Sequence, residues 1–252
     1  MKKVLITGAS GGIGLATAEQ LARKGYQLTL VARTESKLVA AVKQLDGQGH
    51  SYIVADLTKK EDVDKIAAEL TNNHYNILIN NAGAGLYGQF IDLPLEQQVG
   101  TMFLNMGTLV MLSYAFLKNA KQGDALVNIA SLLAHSSFPG GSVYAGTKSF
   151  VANFSESLWF EFKKKGVKVI GFNPGATKSD FHHNAGKDAK AFPEAVLSSK
   201  EEVANELVNS LEKSNNPRVI QGWKNRLMLF GFKFLSRNTA INTMGKLSPG
   251  MQ

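Results

Sequence analysis

The stretch Lys3-Val-Leu-Ile-Thr-Gly-Ala-Ser-Gly-Gly-Ile-Gly14 decides how the rest of the chain is read. Val4 to Ile6 make a short apolar run of the kind buried in a parallel sheet, and it ends directly in glycines. From Gly12 to Lys24 the apolar residues, Ile13, Ala16 and Leu21 among them, recur at helical spacing. Glycines 8, 12 and 14 therefore stand at a strand–turn–helix junction in the pattern G-x-x-x-G-x-G. Glycine lets a backbone approach a pyrophosphate closely, and a helix N-terminus offers unpaired N–H groups at the positive end of its dipole. A nucleoside-triphosphate loop would close on Gly-Lys-Ser/Thr, which is absent. The junction reads as a dinucleotide site with Gly8, Ser10, Gly12, Ile13 and Gly14 as candidate contacts. The same start mimics a signal peptide, but its apolar run is too short for one.

Working outward, the alternation repeats. Strand-like runs fall at Gln27–Ala32, Ser51–Ala55, Asn76–Asn80, Ala125–Ala130 and Val167–Phe172. Helical patterns fall at Glu35–Leu45, Lys60–Leu70, Leu95–Asn119 (as one or two helices) and Val143–Lys164. Six such alternations predict an α/β fold, a Rossmann-type, doubly wound parallel sheet with helices on both faces, joined by right-handed crossovers. Residues 175–200 lack a strong period, and 181–200 are expected to form a mobile substrate loop. Ser199 is placed to cap a helix over Lys200–Leu211, and Arg218–Gln221 has the character of a last strand. With no repeat and no linker, residues 1–252 count as one domain.

The end of the second strand selects between cofactors. NAD readers place an acid there for the ribose hydroxyls, and NADP readers place an arginine nearby. Here Val31-Ala-Arg33 offers no acid, and Arg33 can hold a 2′-phosphate by charge-assisted hydrogen bonds. NADP(H) is preferred. Asp56, with Leu57 beside it, follows the third strand and is placed to meet the adenine side.

Composition narrows the remaining classes. The chain has 252 residues, 44% of them hydrophobic and 19% charged, and no cysteine. That excludes whole-chain disorder, disulfides, thiolate metal sites and a cysteine nucleophile. It has no uninterrupted run of 18 apolar residues, so a cytoplasmic protein is expected. The formal net charge is +8, and the six cations and absent acids from Arg218 onward supply +6 of it. A nearly neutral body argues against nucleic acid as a partner.

Tyr144-Ala-Gly-Thr-Lys148 sets a phenol and an amine one turn apart on a helix. A neighbouring ammonium is expected to lower the phenol's pKa and suit it to proton transfer at a carbonyl oxygen. Tyr114-Ala-Phe-Leu-Lys118 repeats the spacing. Only Tyr144 follows a strand end, at Ser131, where ligands of open parallel sheets bind. Tyr114 reads as an ordinary helix tyrosine.

On these motifs the chain resembles the short-chain dehydrogenase/reductase family, in its single-domain branch of about 250 residues. The resemblance covers about residues 3–180. Thr7–Gly14 fits the cofactor loop, Asn80-Asn-Ala-Gly83 the segment after the fourth strand, and Pro174-Gly-Ala-Thr177 the nicotinamide-side turn. Asn105, Ser131, Tyr144 and Lys148 fit the catalytic tetrad in order and spacing. The resemblance implies that Asn81, Ala82, Gly83, Pro174, Gly175 and Thr177 contact cofactor, and that Lys148 binds the nicotinamide ribose beside Tyr144. It also implies that Asn105 holds a water feeding protons through Lys148, and that the protein is a homodimer or homotetramer. The extra basic residue that some NADP users carry in the glycine loop is absent, with Gly11 in its place, so NAD(H) stays open.

Pocket candidates follow from position. They are Leu86 and Tyr87, then Leu132, Leu133, His135 and Phe138, then Phe181. Leu133, His135 and Phe138 are the leading substrate contacts. Their apolar character points to a small hydrophobic carbonyl or alcohol substrate. His182-His183, without a carboxylate cluster, is a weak metal signal, and no metal is expected. Trp223, Leu227, Phe230 and Phe234, flanked by cations, suit a peripheral membrane contact through 222–237, a lid or dimer helix, or plain packing. A cofactor-binding regulatory protein without turnover is the competing function, and the filled tetrad argues against it. Epimerases and dehydratases share the Tyr–Lys pair but carry a longer C-terminal region.

Overall fold

The computed structural model describes residues 1–186 and 194–251. Seven parallel strands form one sheet: β1 (Lys3–Thr7), β2 (Gln27–Ala32), β3 (Ser51–Val54), β4 (Ile77–Asn80), β5 (Ala125–Ile129), β6 (Lys168–Asn173) and β7 (Arg218–Ile220). Their spatial order is β3-β2-β1-β4-β5-β6-β7. The winding reverses between β1 and β4, which opens a crevice beyond their C-terminal ends.

Strand periodicity builds two cores. Val4, Ile6, Leu28, Leu30, Ile77, Ile79 and Val127 point to one face. There they meet α1 (Gly12–Arg23), α2 (Glu35–Lys43) and α8 (Lys200–Lys213) through Ala18, Leu21, Leu38, Val203 and Leu207. The intervening Leu5, Val31, Leu78, Leu126 and Val169 point to the other face, against α3 (Lys60–Asn72), α5 (Leu109–Asn119) and α6 (Ser142–Lys163). Strands buried on both faces read as the near-continuous apolar runs seen in the sequence. Ser199 caps α8 as expected, in a reciprocal capping box with Glu202.

Two elements refine the sequence reading. Leu95–Asn119 is one continuous helical rod made of α4 (Leu95–Met102), a π-helical turn (Phe103–Thr108) and α5. By length and composition this rod could cross a membrane, but Leu112, Ala115 and Phe116 pack into the second core. The C-terminal run forms α9 (Trp223–Phe232), which ends before Phe234, and α10 (Arg237–Leu247). The break falls where the Ser236 hydroxyl accepts from the Thr239 N–H and starts a new helix. The expected loop over 181–200 begins with the short α7 (Phe181–Asn184), and its part at 187–193 lies outside the described residues.

Candidate active site

A cavity of about 630 Å³ occupies the crevice at the sheet's C-terminal edge. Gly8, Ser10, Gly12 and Ile13 line it, as do Arg33, Asp56, Leu57, Asn81, Ala82 and Gly83. Ser131, Tyr144, Lys148, Pro174, Gly175 and Thr177 line its other end.

The glycine loop packs closely on the turn that follows β4. Gly8 has φ +65°, and a Cβ there would stand 2.9 Å from the Ala82 Cα. Gly14 does not line the cavity. A Cβ on it would fall 2.6 Å from the Asn81 Nδ2 and 2.6 Å from the Gly8 carbonyl. Its place is to let α1 close on the turn, which corrects the expectation of direct contact. Asn81 then stitches the loop to β4, donating to the carbonyls of Thr7 (2.9 Å) and Gly8 (3.1 Å). The Thr7 hydroxyl accepts from the N–H groups of Asn81 and Ala82, each at 3.0 Å. Gly11, the N-cap of α1, has no side chain to cap with, and the first turn holds no acid. The helix start thus presents N–H groups and a positive dipole end toward the cavity.

Arg33 stands at the opposite wall with Thr34, Lys37 and Thr58. Burial raises the Asp56 carboxyl, but bonds from Thr58 and the charges of Arg33 and Lys59 outweigh it and hold the group below its usual range. Position alone had singled out Arg33 and Asp56. Lys37, in the first turn of α2, joins Arg33 on this wall, and the sequence carries no separate signal for it.

Tyr144 and Lys148 are both buried, at 7% and 5% exposure. Burial pushes the Tyr144 phenol up to about 12, opposed by a hydrogen bond with Ser131. Burial pushes the Lys148 amine down to about 8. The expectation of a phenol lowered by its lysine is therefore corrected. The amine donates to the Ile129 carbonyl at 2.8 Å and sits 5.9 Å from the phenol ring centre, so desolvation outweighs attraction. Tyr114 and Lys118 share nearly the same geometry, at 6.0 Å, but Tyr114 is 69% exposed on the surface.

Asn105 is buried at the π turn rather than lining the cavity. Its amide spans the Ala84 backbone, accepting at 2.9 Å and donating at 2.8 Å, and reaches the Thr147 hydroxyl at 3.0 Å. That side chain is committed to holding the Gly83–Ala84 turn against α6. Both Nδ2 protons are used in this way, and Oδ1 keeps one acceptor position beside the Ala84 N–H.

The catalytic end is walled by apolar and aromatic groups. Leu132, Leu133, Phe138, Tyr87 and Phe181 line it. The Phe181 ring lies 5.6 Å from that of Tyr144. His182 is stacked on Tyr87 with its Nδ1 3.4 Å from the hydroxyl. His135 and Leu86 are not in this wall, which corrects both assignments. The His135 ring bonds the Asn173 side chain at 3.1 Å and opens onto a separate depression beside Arg237. His135 stands one 3₁₀ turn beyond Leu132, about 6 Å further along the axis, where Asn173 holds its ring away from the cavity. The tail supplies a roof the sequence reading left open, with Asn225 and Met228 of α9 and Met244 and Leu247 of α10. Asn225 and Met228 lie on the helix side opposite Trp223 and Leu227, a signal a helical projection carries.

The family model for short chain dehydrogenases matches residues 2–190. The chain belongs to the short-chain dehydrogenase family. Serine 3-dehydrogenase of Agrobacterium fabrum is 32% identical over 182 residues, covering 71% of this chain and 73% of that protein. A short-chain dehydrogenase from Sphingobium yanoikuyae, solved in complex with NADPH, superposes with a TM-score of 0.83 at 30% identity, covering 92% and 93% of the two chains. The bulky-bulky ketone specific alcohol dehydrogenase of Comamonas testosteroni superposes with a TM-score of 0.75 at 26% identity, covering 92% of each chain. As a member of this family the protein is an oxidoreductase that uses a nicotinamide cofactor. The uncapped start of α1, open to the cavity at Gly11 and Gly12, fits a pyrophosphate of that cofactor.

Proposed function

We propose that this short-chain dehydrogenase is NADP(H)-dependent and interconverts a hydrophobic ketone or aldehyde with its alcohol. One observation carries the reading: a single cavity joins Arg33 and Lys37 at one end to Ser131, Tyr144 and Lys148 at the other. A bound nicotinamide supplies the two-electron chemistry. Tyr144, protonated at neutral pH, gives its proton to the carbonyl oxygen of the substrate. The Ser131 hydroxyl donates to that same oxygen as negative charge grows on it. Lys148, still cationic below about pH 8, stabilises the phenolate left on Tyr144 and returns a proton to it. Thr177 and the turn after Pro174 would hold the nicotinamide carboxamide, and Arg33 with Lys37 a 2′-phosphate.

The apolar wall around Tyr144 supports a bulky hydrophobic substrate, as does the likeness to a dehydrogenase specific for bulky ketones. Leu95, Val99 and Met102 of α4, with Phe150 of α6, leave apolar groups exposed on two adjoining helices. They support a homodimer or homotetramer built on that face.

The test is a titration of NADPH and NADH into wild type and Arg33→Ala, followed by nicotinamide fluorescence, with bulky ketones then assayed for cofactor oxidation. Tighter NADPH binding that weakens about tenfold or more in the variant, with NADH unmoved, is the expected result. Equal affinities, equally affected, would remove the NADP assignment.

A further inference from the structure

The chain beyond β7 passes over the cavity as a strap pinned at both ends. At its start Asn225 abuts the turn at 174–177, where a Cβ on Gly175 would stand 2.5 Å from the Asn225 Nδ2. That amide also donates to the Gln221 carbonyl at 2.7 Å, and Gln221 is buried. At the far end Ser248, Pro249 and Gly250 are buried. A Cβ on Gly140 would fall 2.6 Å from the Gly250 carbonyl carbon, and one on Gly250 would fall 2.8 Å from the Gly88 nitrogen. The Gly88 N–H donates to the Gly140 carbonyl at 2.9 Å. This second pin therefore joins the strap to the chain that leaves Tyr87 and to the chain that enters α6 just ahead of Tyr144.

Between the pins the strap sets three apolar side chains on the cavity, at different depths. Met244 is 6% exposed, Met228 is half-buried, and Leu247 is 47% exposed at the rim. Met244 belongs to a small apolar cluster with Tyr87, Phe138, Ala145 and Ala185, separate from the two cores on the faces of the sheet. Within that cluster the Tyr87 ring lies 6.2 Å from that of Phe138 and 6.4 Å from that of Tyr144.

We propose that Met244 sets the size limit of the substrate, closing the cavity over the larger substituent of the ketone whose oxygen Ser131 and Tyr144 hold. This rests on the ketone reading given above. A strap held at both ends is not free to swing as a hinged lid does, so the room beneath it depends on the side chains it carries. Met244 is the deepest of the three and stands beside the wall that reaches Tyr144. Packed against Tyr87, Phe138 and Ala145, it has little room to withdraw. Met228 and Leu247 lie further out and meet only the distal end of a long substituent.

The experiment uses the full chain and phenyl alkyl ketones of rising length, acetophenone to valerophenone, with wild type, Met244→Ala and Met244→Phe. NADPH oxidation gives kcat and KM for each ketone, and calorimetry gives ketone affinity in the presence of NADP⁺. The valerophenone-to-acetophenone ratio of kcat/KM is expected to rise about tenfold in Met244→Ala, which opens space, and to fall about tenfold in Met244→Phe, which fills it. The change should sit mainly in KM and appear in the calorimetric ratio too. NADPH affinity within about twofold of wild type reports that each variant is folded. A residue that only held the fold would lower the rates of all the ketones alike in both variants. A ratio that is unmoved, or that moves the same way in both variants, overturns the proposal and leaves the ketone reading standing. If none of the ketones is reduced but the binding ratio shifts as expected, the size limit stands and the ketone-reduction reading falls. If the ketones are neither reduced nor bound, both fall.

Discussion

Tyr144 and Lys148 owe their chemistry to burial. Removed from water, the phenol keeps its proton far above neutrality, and the amine gives its proton up near pH 8. Below that value Lys148 is charged and Tyr144 protonated, the pair that carbonyl reduction needs. Above it Lys148 is neutral, and the phenolate has lost its counter-charge. Reduction is therefore expected to hold steady up to about pH 8 and then fall by about tenfold per unit, while Lys148→Met lacks that limb at a much lower rate. A wild-type profile flat from pH 7 to 10 would contradict this. The same physics explains what single residues disclose. Tyr114–Lys118 and Tyr144–Lys148 have one spacing and one geometry, and only the preceding strand end tells them apart in sequence. Proximity to Ser131 points His135 at the pocket, but it sits a full 3₁₀ turn beyond Leu132 and bonds Asn173 instead. The downward pull of an ammonium on Tyr144 is readable from spacing, whereas its desolvation depends on what packs over it.

Among the elements, the β1–α1 turn is the most legible and the most constrained. Periods of two and near four mark the strand and helix on either side, and the glycines mark a backbone that must come close to something. Sequence could not say to what each glycine comes close. Gly8 abuts Ala82, and Gly14 abuts Asn81 and Gly8 itself. Gly14→Ala is expected to destabilise the fold by about 1–3 kcal/mol, because the atoms it meets are a hydrogen-bonded amide and a backbone carbonyl rather than a flexible side-chain tip. It should also weaken NADPH binding by displacing the Gly8 turn. Thermal unfolding with and without NADPH checks both, and an unchanged Tm would show that α1 is not held as closely as the contact implies. The tail shows the opposite case. An apolar residue on nearly every side of α9 blurs its period, and only tertiary contact separates the cavity side from the outward one.

For the whole molecule, seven parallel strands were foreseeable from alternation, since each strand is buried on both faces and each helix on one. What alternation cannot supply is how a remote C-terminal segment returns over the catalytic end. Gly140 and Gly250 make that return, packed so closely that a Cβ on Gly250 would lie 2.0 Å from the Gly140 carbonyl oxygen. The exposed apolar groups of α4 and α6 make a second expectation at this level. Light scattering of the purified chain should give a dimer or tetramer, and Val99→Glu with Met102→Glu should shift it toward monomer with NADPH binding retained. A monomeric wild type at micromolar concentration would leave that face without the role assigned to it.

The most direct measurement pairs binding with turnover in Tyr144→Phe. NADPH affinity should stay within about twofold of wild type, while NADPH-dependent reduction of a bulky ketone falls by a factor of about 10² to 10⁴. A variant that binds NADPH and still reduces the ketone at the wild-type rate would show that the proton comes from elsewhere, and the assignment of this cavity's chemistry to Tyr144 would fall with it.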